Sequence, residues 1–190
     1  MGKKNVVYTC SSLYAIDPAF LRSLGVRALV ADLDNTLDTY QTQIPSPKAV
    51  RLREELRSYG IRLLILSNNW KSRVRPYAEA LQVPYLPFSL KLFTPRIRRF
   101  LRKNGLAVKD CAFVGDQLVS DGVYARKLHG LFILTEPLSP EDNLPTRLLR
   151  GYDRHRRRSL AKKGRLGNPC PTRPERGEET CSSRKQKPAV

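Results

Sequence analysis

Between Val26 and Glu136 the chain alternates between short unbroken apolar runs and segments whose apolar groups recur at helical spacing. The runs are "VRALVADLD", "IRLLILSNN", "VPYLPF", "CAFVGD" and "LFILTE". Consecutive apolar positions imply strands covered on both faces, as in parallel sheets. The intervening segments carry helix punctuation. "SPKAVRLREELRSYG" starts on Ser46 and Pro47, places Ala49, Leu52, Leu56 and Tyr59 on one side and stops at Gly60. "TPRIRRFLRKNG" does the same with Thr94 as cap, Pro95 and Gly105, and "AIDPAFLRSLG" with Asp17, Pro18 and Gly25. Caps of this kind satisfy the free amides of a first turn, and the terminal glycines accept a left-handed stop. The alternation predicts an α/β fold, a doubly wound parallel five-stranded sheet joined by right-handed crossovers. Ligands of such sheets bind beyond the carboxyl ends of the strands.

Polar residues collect at those ends: "DLDNT" after the first run, "SNN" after the second and "GDQLVSD" after the fourth. Asp32 and Asp34 pose an electrostatic problem. Residues i and i+2 of a strand point to one side, so the two carboxylates repel unless the chain has left the sheet or a cation lies between them.

The totals narrow the class. In 190 residues there is room for one good core. No run approaches the roughly 18 apolar residues of a membrane span, and "MGKKNVVYTCSSLY" lacks the apolar stretch of a secretory signal, so a cytoplasmic protein is expected. Cys10, Cys111, Cys170 and Cys181 form no C-x-x-C pair and have no histidines spaced to complete a zinc site. They read as reduced thiols. The formal net charge is +18, and residues 147–190 hold 14 Lys/Arg against 4 Asp/Glu. We therefore expect one domain over residues 1–150 and a basic tail over 151–190, with a helical turn or two in "RLLRGYDRHRRRSLAKKG" and disorder from Gly164 onward.

Taken in order, four motifs resemble the haloacid dehalogenase-like phosphatases: D-x-D-x-T at Asp32, Asp34 and Thr36; a serine at Ser67; a lysine at Lys91 ahead of the next helix; and G-D-x-x-x-x-D at Gly115, Asp116 and Asp121. The phrases "GVRALVADLDNTL", "ILSNN" and "FVGDQLVSD", behind the "IDPAFLRSLG" helix, are similar to the YqeG-type branch, subfamily IIIA, which is related to mitochondrial phosphatidylglycerophosphatase. The resemblance spans about Tyr8 to Arg150. Lys91 is followed by Leu92 and Phe93 where a proline is expected, and Ser120 stands where relatives more often carry threonine.

The resemblance implies a Mg²⁺-dependent phosphomonoester hydrolase working through an aspartyl-phosphate, with no cap domain. Charge spread over the equatorial oxygens of a transferring phosphoryl group repels a carboxylate nucleophile unless a cation intervenes. Asp32 is the expected nucleophile and a metal ligand, Asp116 the second carboxylate ligand, and Asp34 a ligand through its carbonyl whose side chain turns away to act as acid and base. Asp121 is placed near the start of the following helix, on a metal-bound water or on Lys91. Thr36, Ser67, Asn68 and Lys91 form the phosphate side; Thr36 is also able to cap or brace its turn, and Asn68 either binds phosphate or orients Asp34, or else stabilises a turn. Trp70, Lys71, Arg73 and Arg75 read as a solvated helix face. The expected substrate is a bulky phosphate such as a phosphatidylglycerophosphate head group, with the tail docking on an anionic membrane. A nucleotide or sugar phosphatase is the alternative, and from another class a protein that binds RNA or the ribosome through its tail.

Overall fold

Asp17 and Ser46 start helices as their side chains predict. Asp17 Oδ1 accepts the amide of Ala19 at 2.8 Å, and Ser46 Oγ that of Ala49 at 3.2 Å. The helices they open are α1 (Pro18–Ser23) and α2 (Pro47–Ser58), each with proline in its first turn. Gly25, Gly60 and Gly105 take φ of +74°, +71° and +66°, the left-handed stops read in the sequence. Thr94 differs: it is the first residue of its helix, not the cap.

These observations come from a computed structural model that describes residues 7–89, 93–139, 144–164 and 166–173, with the backbone alone for 144–150. The strands are β1 (Val7–Cys10), β2 (Ala28–Ala31), β3 (Arg62–Leu66), β4 (Tyr85–Leu86), β5 (Cys111–Gly115), β6 (Leu131–Thr135) and β7 (Asn168–Pro169). They form one sheet in the order β4-β3-β2-β5-β6-β1-β7, and every pairing is parallel. The fold class is as expected, but with seven strands instead of five. The two additions lie at one side. β1 was hidden in "VVYTC", too short to stand out, and β7 is a two-residue strand that only pairing with β1 defines.

The apolar runs are buried on both faces because helices cover both. Leu29 and Ala31 of β2 face one core with Leu21 of α1, Leu52 and Leu56 of α2, and Val74 and Tyr77 of α3 (Lys71–Ala80). Ala28 and Val30 face the other, with Ile97 and Leu101 of α4 (Thr94–Lys103) and Tyr124 and Leu128 of α5 (Val123–Leu128). Each such Leu contributes about 1.5–3 kcal/mol of burial, and this double cover holds the strand ends still.

The C-terminal segment departs most from expectation. α6 (Leu144–Lys162) runs 19 residues, where a turn or two was foreseen. Beyond it, residues 166–173 lie against the domain: β7 pairs with β1, Thr172 bridges Ile16, and Arg173 donates to the Ile16 carbonyl at 3.3 Å and pairs with Glu55. Backbone pairing and one ion pair order a stretch whose composition alone would not. Residues 174–190 lie outside the described residues. Cys10 and Cys170, far apart in sequence, meet across β1 and β7, and their mutual hydrogen bond brings the Cys10 thiol down to about 6 and pushes that of Cys170 up. Among the described residues the cysteines are free thiols, and no helix is long and apolar enough to cross a membrane.

Candidate active site

The winding of the sheet makes the crevice. From β2 the chain moves outward through β3 to β4, then returns to the opposite side of β2 and continues through β5 and β6. The loops after β2 and β5 therefore diverge, which opens a cleft at their carboxyl ends. Asp32 follows β2 and donates its amide to the Val114 carbonyl of β5 at 3.0 Å. Asp116 follows β5 directly.

Carboxylate oxygens of Asp32, Asp116 and Asp121 all lie within 4.8 Å of one another. Asp116 and Asp121 are 1% and 0% exposed, while Asp32 keeps partial access to solvent. Asp121 arrives through a wide turn, Leu118–Gly122, whose hydrogen bonds span five residues. Its amide donates to the Gln117 carbonyl at 2.8 Å, and its Oδ2 accepts the Gln117 amide at 3.1 Å. Gly115 makes this approach possible: a Cβ there would stand 2.2 Å from Asp121 Cγ. Thr36, buried at 1%, donates to Asp116 Oδ1 at 3.5 Å, so it braces an acid of the cluster.

The chain escapes the repulsion between Asp32 and Asp34 by leaving the sheet. β2 ends at Ala31, and Asn35 takes a left-handed φ of +63° in a tight turn where its amide donates to the Asp38 carbonyl at 2.7 Å. Asp34 Oδ1 pairs with Arg73 Nη2 at 3.0 Å, and Oδ2 accepts from Asn69 Nδ2 at 2.7 Å. Here the residues correct the sequence reading. Asn69, which the sequence reading passed over, donates to Asp34, and Asn68 Oδ1 accepts the Ser89 hydroxyl at 3.0 Å. Arg73 is no solvated helix residue: its side chain is 16% exposed and its guanidinium lies 5.8 Å from the Tyr77 ring centroid. Nothing in the sequence separates Arg73 from Lys71 or Arg75, because the distinction comes from how α3 leans on the Asp34 turn.

A third acid of the motif, Asp38, is structural. It accepts the Ser46 amide at 3.0 Å and the Tyr77 hydroxyl, tying the turn to α2 and α3. Burial first, then the hydrogen bond to Asp38 and the charge of that carboxylate, push the Tyr77 hydroxyl well above its ordinary range, so it stays a donor. Ser67, 2% exposed, directly follows β3, and its Oγ accepts the Asn69 amide at 3.1 Å. Trp70, 68% exposed, stacks on Phe88 with centroids 4.9 Å apart. Lys91 lies outside the described residues.

No family model matches the chain. Among solved structures, a hypothetical protein of Xanthomonas campestris aligns with a TM-score of 0.49 at 17% identity, covering 62% of this chain and 68% of that one. The 3-deoxy-D-manno-octulosonate 8-phosphate phosphatase of Moraxella catarrhalis, in complex with magnesium, phosphate and KDO, aligns at 0.46 and 15% identity, covering 76% and 97%. Over 155 residues the chain is 30% identical to the probable phosphatase YqeG of Bacillus subtilis, covering 82% of this chain and 90% of that protein. On that identity and coverage the chain belongs to the family of the probable phosphatase YqeG.

Proposed function

We propose that the chain hydrolyses phosphate monoesters in two steps on Asp32, with Mg²⁺ held by Asp32 and Asp116, by the carbonyl of Asp34 and by Asp121 in support. The observation that carries this reading is the convergence of three carboxylates within 4.8 Å at the β2/β5 crevice, with Asp34 held apart on Arg73 and Asn69. The donor set fits the ion: it consists of hard oxygens, two of the acids are buried, and three clustered negative charges call for a compact divalent cation. When bound, Mg²⁺ supplies the positive charge that lets an anionic nucleophile approach a phosphoryl group.

The chain's own residues do the rest. An oxygen of Asp32 attacks phosphorus in line with the ester bond, which breaks as Asp34 gives its proton to the departing alkoxide. Water then attacks the aspartyl-phosphate, Asp34 takes its proton, and Asp32 and inorganic phosphate are released. Asn69 and Arg73 restrain Asp34 for both transfers. Ser67 and neighbouring amides donate to one phosphoryl oxygen and Lys91 to another. Thr36 acts through Asp116.

For the substrate, a bulky phosphate such as a lipid head group is the reading we adopt. The residues from Asp34 to Ser67 are taken up by the turn, α2 and β3, so among the described residues no inserted domain lies over the crevice. The exposed Trp70–Phe88 stack, one residue from Asn69, adds an apolar ledge beside it. The test compares phosphate release from vesicle-held phosphatidylglycerophosphate with release from soluble nucleotide and sugar monophosphates. Faster turnover of the soluble esters overturns the lipid reading in favour of a small-molecule phosphatase, and equal release by Asp32→Asn and wild type overturns the mechanism.

A further inference from the structure

α6 presents three exposed arginines, Arg154, Arg156 and Arg158, and beside them two charged residues that turn inward, Asp153 and Arg157. Asp153 is 3% exposed, and the Arg157 side chain 12%. All three guanidinium nitrogens of Arg157 are engaged. Nε donates to Asp153 Oδ2 at 2.8 Å and Nη1 to Glu136 Oε1 at 2.9 Å; Nη2 donates to the Thr135 carbonyl at 3.1 Å and to the carbonyl of Asp116. The other oxygen of Asp153 accepts the Val119 amide at 2.9 Å.

The two inward residues thus grip the loop after β5 at two points, the peptide leaving Asp116 and the middle of the turn that delivers Asp121. We infer that Asp153 and Arg157 are positioning residues for the metal-binding acids: together they hold the backbone so that the Asp116 and Asp121 carboxylates converge on Asp32. The inference rests on the proposed reading that these acids bind Mg²⁺. Its physical reason is the repulsion among them. Three carboxylates this close push the loop apart whenever no cation joins them, and a clamp on the backbone side opposes that without competing for the ligand oxygens. The segment expected to be a detached basic tail then belongs to the site.

A plain buried ion pair would also stabilise the fold, but at Arg157 the two roles differ in sign. Removing a nearby positive charge strengthens cation binding by electrostatics alone, whereas loosening the loop weakens it. Mg²⁺ binding to the full chain, without substrate, is measured by titration calorimetry for wild type, Arg157→Gln, Arg157→Lys, Asp153→Asn and the charge-matched Arg158→Gln. The expected result is roughly ten-fold or greater weakening for Arg157→Gln and Asp153→Asn, the usual scale for residues that orient metal ligands. Arg157→Lys recovers only part of this, because one ammonium cannot serve four acceptors in fixed directions. Arg158→Gln binds as wild type does, or slightly tighter. Affinity in Arg157→Gln equal to or above that of wild type overturns the inference. Should that variant not melt cooperatively, wild-type affinity in the isosteric Asp153→Asn overturns it instead. Absence of Mg²⁺ binding by wild type removes the metal reading itself, and the inference with it.

Discussion

Asp32 shares its corner of the crevice with two further acids, whereas Asp34, two residues on, is held by an asparagine and a guanidinium. One half of the motif gathers three carboxylates at one corner; the other half sets its carboxylate against a guanidinium. Sequence proximity therefore says little about electrostatic surroundings, because the turn at Asn35 sends the two carboxylates to different neighbours.

The contrast can be broken most severely at its centre. Asp32→Asn should lower phosphate release by about 10³-fold or more, the loss expected of a nucleophile, while leaving ligand-free thermal stability no lower than that of wild type. Phosphate assays and melting curves on the same preparation check both halves. Next in size, Asp34→Asn should slow alkyl phosphates by about 10²–10⁴-fold and activated aryl phosphates much less, since only a poor leaving group needs its proton. Arg73→Gln should move the same ratio in the same direction by a smaller factor and cost about 1–3 kcal/mol in urea melts, the worth of hydrogen bonds to a charged group.

On the anionic side, Mg²⁺ at a hundred times its dissociation constant should stabilise the wild type by about 2.7 kcal/mol. Asp121→Asn should shrink that increment and, at low salt, raise the ligand-free melting temperature. A destabilised ligand-free Asp121→Asn would show that the acids do not repel as argued. The smallest effect belongs to Trp70→Ala, with a stability change within about ±0.5 kcal/mol, as befits an exposed side chain. Trp70 is the sole tryptophan, so phosphate entering beside Asn69 should register as a change in its emission.

The same divide marks what could be read from the sequence. Asp32, Asp116 and Asp121 were legible because strand ends and glycines announce them: the apolar runs set where β2 and β5 stop, and Gly115 sits where a side chain cannot. Asn69, Arg73, Asp153 and Arg157 were not. Each lies on or beside a helix among similar polar residues, and only tertiary packing decides which of them turns inward. The same holds for the C-terminal segment, where composition pointed to a helical turn or two and then disorder from Gly164, while Asp153, Arg157 and the β1–β7 pairing supplied the ordering contacts. Asn68 and Asn69 show the limit at its finest, since one position separates the residue on Asp34 from the residue on Ser89.

The sheet also has consequences at its borders. Its outermost strands, β4 and β7, are two residues each, and Pro169 in β7 has no amide hydrogen to offer. Within the described residues each rim presents too short a ladder for another chain to extend. Among the described residues, the surfaces left for self-association are therefore helix faces and loops, since neither margin offers a ladder to lengthen.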